Sequence, residues 1–336
     1  MNSDHSDPIC SPTNNLNKVS SADAMGDLHE SIENPPKWLT AALSVPRDEG
    51  TVDVDACDIH YFRWGDPSKP GIIMLHGFLA HARCFAFVAP YLAADYHVVA
   101  MDMSGMGDSG WRDEYTLGQR ADELVTVSES LGLFKHEHKP TIVAHSFGGR
   151  IATAAMHAHG ERFSGLVICD LMIIRPSILF SNPELFKPPS KRDGSRPNKI
   201  YPDLESAKER FFLTPPQPCE EPVLVDYMGF HSLKEVDGGW QWKFDPKVFN
   251  IPKNAEESWG KIGEAVTTAP GRKAIIYGKK SLLFTEDSVA FMGELSEEFG
   301  TPAIPMIDIP NARHHLMLDQ PIAFITALKS VLAVWR

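Results

Sequence analysis

Short apolar runs alternate with longer amphipathic stretches from about residue 50 onward. Near-continuous apolar runs of this length are typical of strands that are buried on both faces. The stretches between them, such as Thr116–Leu131 and Gly149–His159, predict helices. This alternation predicts an α/β fold with a mostly parallel central sheet flanked by helices. The six predicted strands are Gly71–Leu75, His97–Met101, Thr141–Ala144, Gly165–Cys169, Lys273–Tyr277 and Ile304–Asp308.

Two segments depart from this pattern. Residues 172–268 are rich in proline and aromatic residues, and they interrupt the alternation between two predicted strands. They therefore predict an insertion into a main domain formed by residues 37–171 and 269–336. Residues 1–36 are rich in Ser, Asn and Asp, and we expect them to be a disordered acidic tail.

A serine stands at a sharp transition from strand to helix, in the segment Ala144-His145-Ser146-Phe147-Gly148-Gly149. A tight turn there would hold the serine in a strained backbone conformation with its hydroxyl exposed. Such a turn requires small residues two positions away on each side, and Ala144 and Gly148 meet that need. We therefore predict that Ser146 is a catalytic nucleophile.

Four motifs, in order, resemble those of the α/β-hydrolase superfamily. They are His76-Gly77-Phe78, the turn Asp102-Met-Ser-Gly-Met-Gly-Asp-Ser109, the Ser146 elbow, and Ile309-Pro-Asn-Ala-Arg-His314 followed by Pro321. The resemblance covers about residues 50–336. It implies an α/β-hydrolase fold of the capped, serine-esterase type, in which the insertion 172–268 is a helical cap.

The resemblance also implies roles for individual residues. His314 would be the general base, because it precedes Pro321 by the spacing typical of the superfamily. The backbone N–H groups of Phe78 and Phe147 would form an oxyanion hole. Further pocket residues are expected beside these groups: His76, Gly77, His145, His315, Trp240 and Trp242.

The acid that should orient the base departs from the common pattern. Its usual position after the strand Lys273–Tyr277 is occupied by Ser281. Some capped relatives instead place the acid after the strand that follows the nucleophile helix, where this chain has Asp170. We predict Asp170 as the acid, with Glu286 and Asp287 as alternatives that have a structural explanation as first-turn helix residues.

Composition narrows the possible partners. The formal charge is −12, which argues against nucleic acid or an anionic membrane as the main partner. No apolar run is long enough for a membrane span, and the N-terminus lacks the features of a secretory signal, so we expect a cytoplasmic protein. The five cysteines are scattered and are expected to be free thiols.

The sequence contains no phosphate loop and no cysteine–histidine cluster with metal-ligand spacing, so we predict neither an organic cofactor nor a metal.

The expected function is that of a serine hydrolase, which cleaves a carboxylic ester or related acyl bond of a small molecule through an acyl-enzyme. Lactones, thioesters and carbon–carbon bonds remain open as substrates. The alternatives are a lyase, perhydrolase or cofactor-free oxygenase on the same scaffold, or a small-molecule receptor. The sequence does not indicate an oligomeric state.

Overall fold

The computed structural model describes residues 15–19, 28, 34–181, 194–250 and 255–336. In these residues eleven strands form a sheet and a separate hairpin. The strands are β1 (Asn15–Val19), β2 (Arg47–Val54), β3 (Cys57–Trp64), β4 (Gly71–Leu75), β5 (His97–Met101), β6 (Thr141–His145), β7 (Gly165–Cys169), β8 (Leu233–Val236), β9 (Gly239–Trp242), β10 (Arg272–Gly278) and β11 (Met306–Ile309).

The large sheet has the strand order β1-β2-β3-β5-β4-β6-β7-β10-β11. From β5 to β11 every neighbouring pair is parallel. β1, β2 and β3 extend this sheet with antiparallel pairing. The predicted α/β fold with a mostly parallel sheet is therefore confirmed, and each of the six predicted apolar runs overlaps a strand.

Helices connect the strands and cover both faces of the sheet. They are α1 (Lys37–Leu43), α2 (Leu117–Ser130), α3 (Phe147–His159), α4 (Pro176–Ser181), α5 (Leu204–Lys208), α6 (Pro222–His231), α7 (Ala255–Gly260), α8 (Ile262–Thr268), α9 (Glu286–Glu298), α10 (Leu316–Asp319) and α11 (Pro321–Trp335). Helix α2 agrees with its predicted bounds to within one residue at each end. Helix α3 begins two residues earlier than predicted, because the turn at Ser146 leads directly into it. No helix in the described ranges is both long and apolar enough to cross a membrane.

The expectation of a disordered tail needs a correction at residues 15–19. These residues form β1, which pairs antiparallel with β2 from Asn15 opposite Thr51 to Val19 opposite Arg47. The exposed edge of β2 offers unpaired backbone donors and acceptors, and such pairing requires no apolar sequence. Most other residues of the expected tail lie outside the described residues.

The insertion between β7 and β10 is not purely helical. Besides the helices α4 to α8 it contains the antiparallel hairpin β8–β9. A small core of its own holds the hairpin, formed by Tyr201, Ala207, Leu233 and Trp242. Residues 182–193 and 251–254 of this insertion lie outside the described residues.

Alternating side chains of the buried strands fill two cores, one on each face of the sheet. On β4, Ile73 and Leu75 belong to one core, whereas Ile72 and Met74 belong to the other. Residues that follow the carboxyl ends of the parallel strands are left at one edge of the sheet, where ligands bind in folds of this class. Ser146 follows β6 and Asp170 follows β7 at that edge.

Candidate active site

Ser146 occupies a strained turn between β6 and α3. Its backbone angles are φ 51° and ψ −123°, an unusual conformation for a residue with a side chain. The Ser146 N–H donates to the carbonyl of Cys169 over 2.9 Å, which ties the turn to β7. A Cβ atom at Gly148 would lie 2.6 Å from the carbonyl oxygen of His76, so the turn closes against the neighbouring loop only because residue 148 is glycine.

The loop after β4 lies beside this turn. A Cβ atom at Gly77 would be 3.3 Å from the Cβ of Ser146. The rings of Phe78 and Phe147 meet edge to face at 5.6 Å between centroids. Neither the Phe78 nor the Phe147 N–H has a hydrogen-bond acceptor among the described residues. As the first residue of α3, Phe147 has an N–H that no earlier helical carbonyl can accept. Both amides are therefore available to a ligand beside Ser146.

His314 and Asp170 form a buried pair. The Nδ1 atom of His314 lies 2.8 Å from Oδ1 of Asp170, and the side chains are only 3% and 0% exposed. A carboxylate in this position fixes the proton on Nδ1 and leaves Nε2 as the basic nitrogen. Asp170 has a positive φ of 50°, which is uncommon for a residue other than glycine.

Two further donors hold the Asp170 carboxylate. The Gly278 N–H donates to Oδ2 over 2.8 Å, and the Ser281 hydroxyl donates to Oδ1 over 2.6 Å. Ser281, which occupies the position where the superfamily usually has its acid, thus contacts the carboxylate of Asp170. Glu286 instead contacts Lys279 over 3.3 Å, and Asp287 contacts Arg175 over 2.9 Å, both at the surface. The structure therefore brings Asp170 to His314 and engages the two alternatives elsewhere.

His145, His314 and His315 form a cluster of imidazole rings. The centroid of His145 lies 4.8 Å from that of His314 and 5.5 Å from that of His315. Nε2 of His145 donates to the carbonyl oxygen of His314 over 2.9 Å. Burial, followed by the charge of His314, holds the pKa of His145 and of His315 well below the usual value. Both neighbours therefore stay neutral at neutral pH.

The serine hydroxyl is accessible and unengaged. Ser146, Phe147 and Phe78 are partly exposed, whereas the histidine–aspartate pair behind them is buried. Within the described part of the chain, Ser146 Oγ makes no side-chain hydrogen bond. Hydrogen bonds between nucleophile and base are often long in unliganded enzymes and shorten when substrate binds.

His76 and Asp102 connect the loop after β4 to the turn after β5. His76 Nδ1 donates to the Gly77 carbonyl over 2.7 Å, and its Nε2 accepts from the Met103 N–H over 3.0 Å. Burial lowers the pKa of His76, in agreement with this neutral form. A Cβ at Gly107, whose φ is +57°, would lie 2.4 Å from Cγ of Asp102. These residues shape the loop through packing and backbone contacts.

Among the residues that the structure describes, one group has the composition of a metal site, formed by His60, Asp102 and Asp108. Both ring nitrogens of His60 face carboxylates, Asp102 over 2.8 Å and Glu49 over 3.0 Å. These hydrogen bonds raise the pKa of His60 to about 9, although burial acts in the opposite direction. A doubly protonated imidazole has no lone pair for a metal, so the chemistry of this group fits an ion pair better than a metal site.

Trp240 and Trp242 make their contacts within the insertion. The backbone of Trp240 pairs with that of Tyr201, and the ring of Trp242 lies 6.3 Å from those of Tyr201 and Phe211. These contacts place both tryptophans in the small core of the hairpin. The other expected pocket residues lie around Ser146 and the loop that carries His314. They are His76, Gly77, His145 and His315.

Two cavities lie away from the serine, with volumes of about 700 Å³ and about 400 Å³. The larger is lined by residues such as Trp111, Arg112 and Lys247, and the smaller by residues of α3 and α8. Neither is lined by Ser146 or His314. The candidate site is therefore defined by the geometry of the serine turn and not by either of these two cavities.

The histidine loop, which carries Arg313, His314 and His315, is held by contacts from the insertion that were not predicted from the sequence. Gln217, in the insertion, accepts from the His315 N–H over 3.2 Å and donates to Asp319 over 3.0 Å. Asp319 also accepts from the Arg313 N–H over 2.7 Å, next to His314. No local pattern marks Gln217, because its partners are about a hundred positions away. Asp319 lies only five positions after His314 and just before α11, so its contact with the histidine loop could have been predicted from the sequence.

Comparisons with known proteins agree with the fold described above. A sequence profile described as the alpha/beta hydrolase family matches residues 72–327. The hydrolase YugF of Bacillus subtilis is 29% identical over 133 residues, which cover 38% of this chain and 47% of that protein. Monoacylglycerol lipase abhd6-B of Xenopus laevis is 31% identical over 121 residues, which cover 34% of this chain and 35% of that protein. The chain thus matches less than half the length of these relatives.

Solved structures extend the likeness over nearly the whole fold. An esterase of Mycobacterium tuberculosis superposes with a TM-score of 0.66 at 20% identity, covering 94% of this chain and 99% of that one. The structure of E-2-(acetamidomethylene)succinate hydrolase gives a TM-score of 0.66 at 16% identity, covering 85% and 99%. At such identities the likeness establishes a shared fold.

Proposed function

The chain belongs to the alpha/beta hydrolase family, and from that premise we propose that it is a serine hydrolase that cleaves a carboxylic ester of a small organic molecule. The observation that supports this most directly is the pair of His314 and Asp170, with 2.8 Å between Nδ1 and Oδ1. The pair lies at the sheet edge that also carries the strained turn of Ser146. A base, an orienting acid and an exposed hydroxyl are the groups that acyl transfer needs.

In the proposed mechanism, Ser146 attacks the ester carbonyl while Nε2 of His314 accepts its proton. Asp170 keeps the imidazole in the correct tautomer and stabilises the imidazolium that forms. The amides of Phe78 and Phe147 donate to the oxyanion, and each such donor contributes about 3 kcal/mol to the transition state. His314 then protonates the leaving alcohol, and a water molecule activated by the same nitrogen releases the acid.

The choice of substrate rests on the relatives and on the nucleophile. Relatives include a lipase of Mycobacterium tuberculosis and a monoacylglycerol lipase, whose names indicate ester substrates. The serine at position 146 suits acyl transfer, because a hydroxyl activated by histidine forms an acyl-enzyme readily. We therefore place carboxylic esters before lactones, thioesters and carbon–carbon bonds.

Hydrolysis of p-nitrophenyl acetate and butyrate tests the proposal. We expect multiple turnovers by the wild type and a loss of at least about three orders of magnitude in kcat for Ser146→Ala. Ser330→Ala, on the surface of α11, is the matched control and should keep wild-type rates. Should the wild type leave both esters intact, labelling with a fluorophosphonate decides: failure to label Ser146 in folded protein would refute an activated serine.

A further inference from the structure

Arg150 is a buried cation on the helix that carries the nucleophile. It lies one turn after Ser146 on α3 and is only 8% exposed. Its guanidinium carbon lies 4.0 Å from the ring centroid of Trp259, and Nη2 donates to the Ser258 hydroxyl over 2.6 Å. The Nε atom is buried and has no acceptor in the described part of the chain. The guanidinium therefore retains donor capacity that no described residue uses.

No described carboxylate lies within ion-pair distance of Arg150. Two other arginines stacked on aromatic rings differ in this respect. Arg162 lies over Phe134 at 3.9 Å and pairs with Glu129 over 3.2 Å. Arg175 lies over Phe291 at 5.0 Å and pairs with Asp287 over 2.9 Å. A buried charge without a counter-ion is unfavourable, so the position of Arg150 calls for a compensating anion.

A cleft of about 400 Å³ opens beside Arg150, between α3 and the segment that contains α8. Its polar lining comes from Arg150, Thr153, His157, Ser258 and Lys261, and none of the residues that line it is acidic. Burial lowers the pKa of Arg150 to about 10, so the guanidinium stays charged at neutral pH. The cleft thus combines a fixed positive charge with the hydroxyl of Ser258 and the space for a small molecule.

We propose that this cleft, termed the Arg150 cleft, binds a small oxyanion, a carboxylate or a phosphate group. A guanidinium presents N–H donors in a planar fork that matches two oxygens of such a group. The Nη1 group, which is not fully buried and has no acceptor among the described residues, supplies one bond, and the Ser258 hydroxyl adjoins the guanidinium. The residues that line the cleft include neither Ser146 nor His314, so this is a second site and not part of the catalytic pocket.

Isothermal titration with inorganic phosphate and with acetate, at constant ionic strength, tests the proposal. We expect saturable binding of at least one anion to the wild type and a dissociation constant at least about tenfold higher for Arg150→Met. Arg162→Met is the matched control, because Arg162 also stacks on a ring but already has a carboxylate partner. It should bind as the wild type does. Preference for phosphate or for acetate identifies the source of the oxyanion.

Circular dichroism of each variant must show the native fold before binding is compared. Arg150→Lys keeps the charge but loses the fork, so its dissociation constant should fall between those of the wild type and Arg150→Met. It also serves as the test variant if Arg150→Met does not fold. The proposal is overturned if neither anion binds the wild type, or if Arg150→Met and Arg150→Lys bind as tightly as the wild type does.

Discussion

Asp170 shows how much of the site depends on single residues that meet only in the folded chain. The sequence offered three acids for His314, and the fold brings Asp170 to Nδ1 while Glu286 and Asp287 contact cations at the surface. Sequence distance could not decide between them, because His314 is 144 positions from Asp170. The contact of Ser281 with Asp170 was equally invisible, since hydroxyl donors leave no periodic signal.

Replacement of Asp170 tests its role as the orienting acid. Asp170→Asn should keep the fold and lower kcat by about four orders of magnitude, because an amide stabilises the wrong tautomer of His314. Ester hydrolysis by the purified variant measures this. Asp287→Asn is the control for the alternative acid and should remain active. Near-normal turnover by Asp170→Asn would remove this residue from the mechanism.

His60 makes the stability of the protein depend on pH. Its hydrogen bonds to Asp102 and Glu49 raise its pKa to about 9, against 6.5 in the unfolded chain. The stabilisation is therefore complete below pH 6.5 and is lost as the pH rises through 9. We expect the difference in unfolding free energy between wild type and His60→Gln to shrink by about 3 kcal/mol over this interval. Urea denaturation at several pH values measures it.

His97→Gln is the matched control for this experiment. Burial lowers the pKa of His97 to about 4, so its contribution changes below pH 6.5 and not above. The difference in unfolding free energy from the wild type should therefore change above pH 6.5 for His60→Gln and below pH 6.5 for His97→Gln. A constant difference between wild type and His60→Gln from pH 6.5 to 9 would show that His60 is not held as a cation.

At the scale of elements, the turn from β6 to α3 depends on the size of residue 148. A Cβ at Gly148 would lie 2.6 Å from a backbone oxygen, whereas one at Gly149 would make ordinary contacts at 3.4 Å or more. Gly148→Ala should therefore lower the unfolding free energy by about 2 kcal/mol or more, with reduced ester hydrolysis. Gly149→Ala should be neutral or stabilising by up to about 1 kcal/mol. Equal stability of the two variants would contradict the close approach of the turn to His76.

Helix and strand positions were predicted best where both faces of an element are buried. The parallel strands have continuous apolar runs, so their existence followed from the sequence. The antiparallel hairpin of β2 and β3 was not predicted, because β2 carries charged residues and is mostly only partly buried. The segment β1 was expected to be disordered for a similar reason, since edge pairing through the backbone does not depend on apolar side chains.

The contact between the insertion and the histidine loop provides a test at the same scale. Gln217→Ala removes one bond to the His315 N–H and one to the buried carboxylate of Asp319, whose pKa burial already raises. We expect the unfolding free energy to fall by about 2 kcal/mol. Gln241→Ala is the control, because Gln241 makes one 3.3 Å bond within the insertion. A loss of unfolding free energy no greater than that of the control would show that the hydrogen bonds of Gln217 add little stability.

At the scale of the whole molecule, the order of the strands in the sheet could not be predicted from the sequence and was seen only in the structure. The alternation of strands and helices predicted a parallel sheet, but β5 lies between β3 and β4, and β10 lies beside β7 across the whole insertion. This arrangement brings the loops after β6, β7 and β11 to one edge, where Ser146, Asp170 and His314 are found. The interior of the insertion was the least predictable part, since its short elements pack into a small core of their own.

Trapping the acyl-enzyme is the measurement that tests the central claim most directly. Rapid quenching in acid during turnover of p-nitrophenyl butyrate, followed by intact mass spectrometry and peptide mapping, locates any covalent intermediate. The account predicts one butyryl group on the peptide that contains Ser146, and none on the Ser146→Ala variant. A wild type that turns over the ester without an adduct even under single-turnover conditions, or that carries the group on another residue, would contradict it.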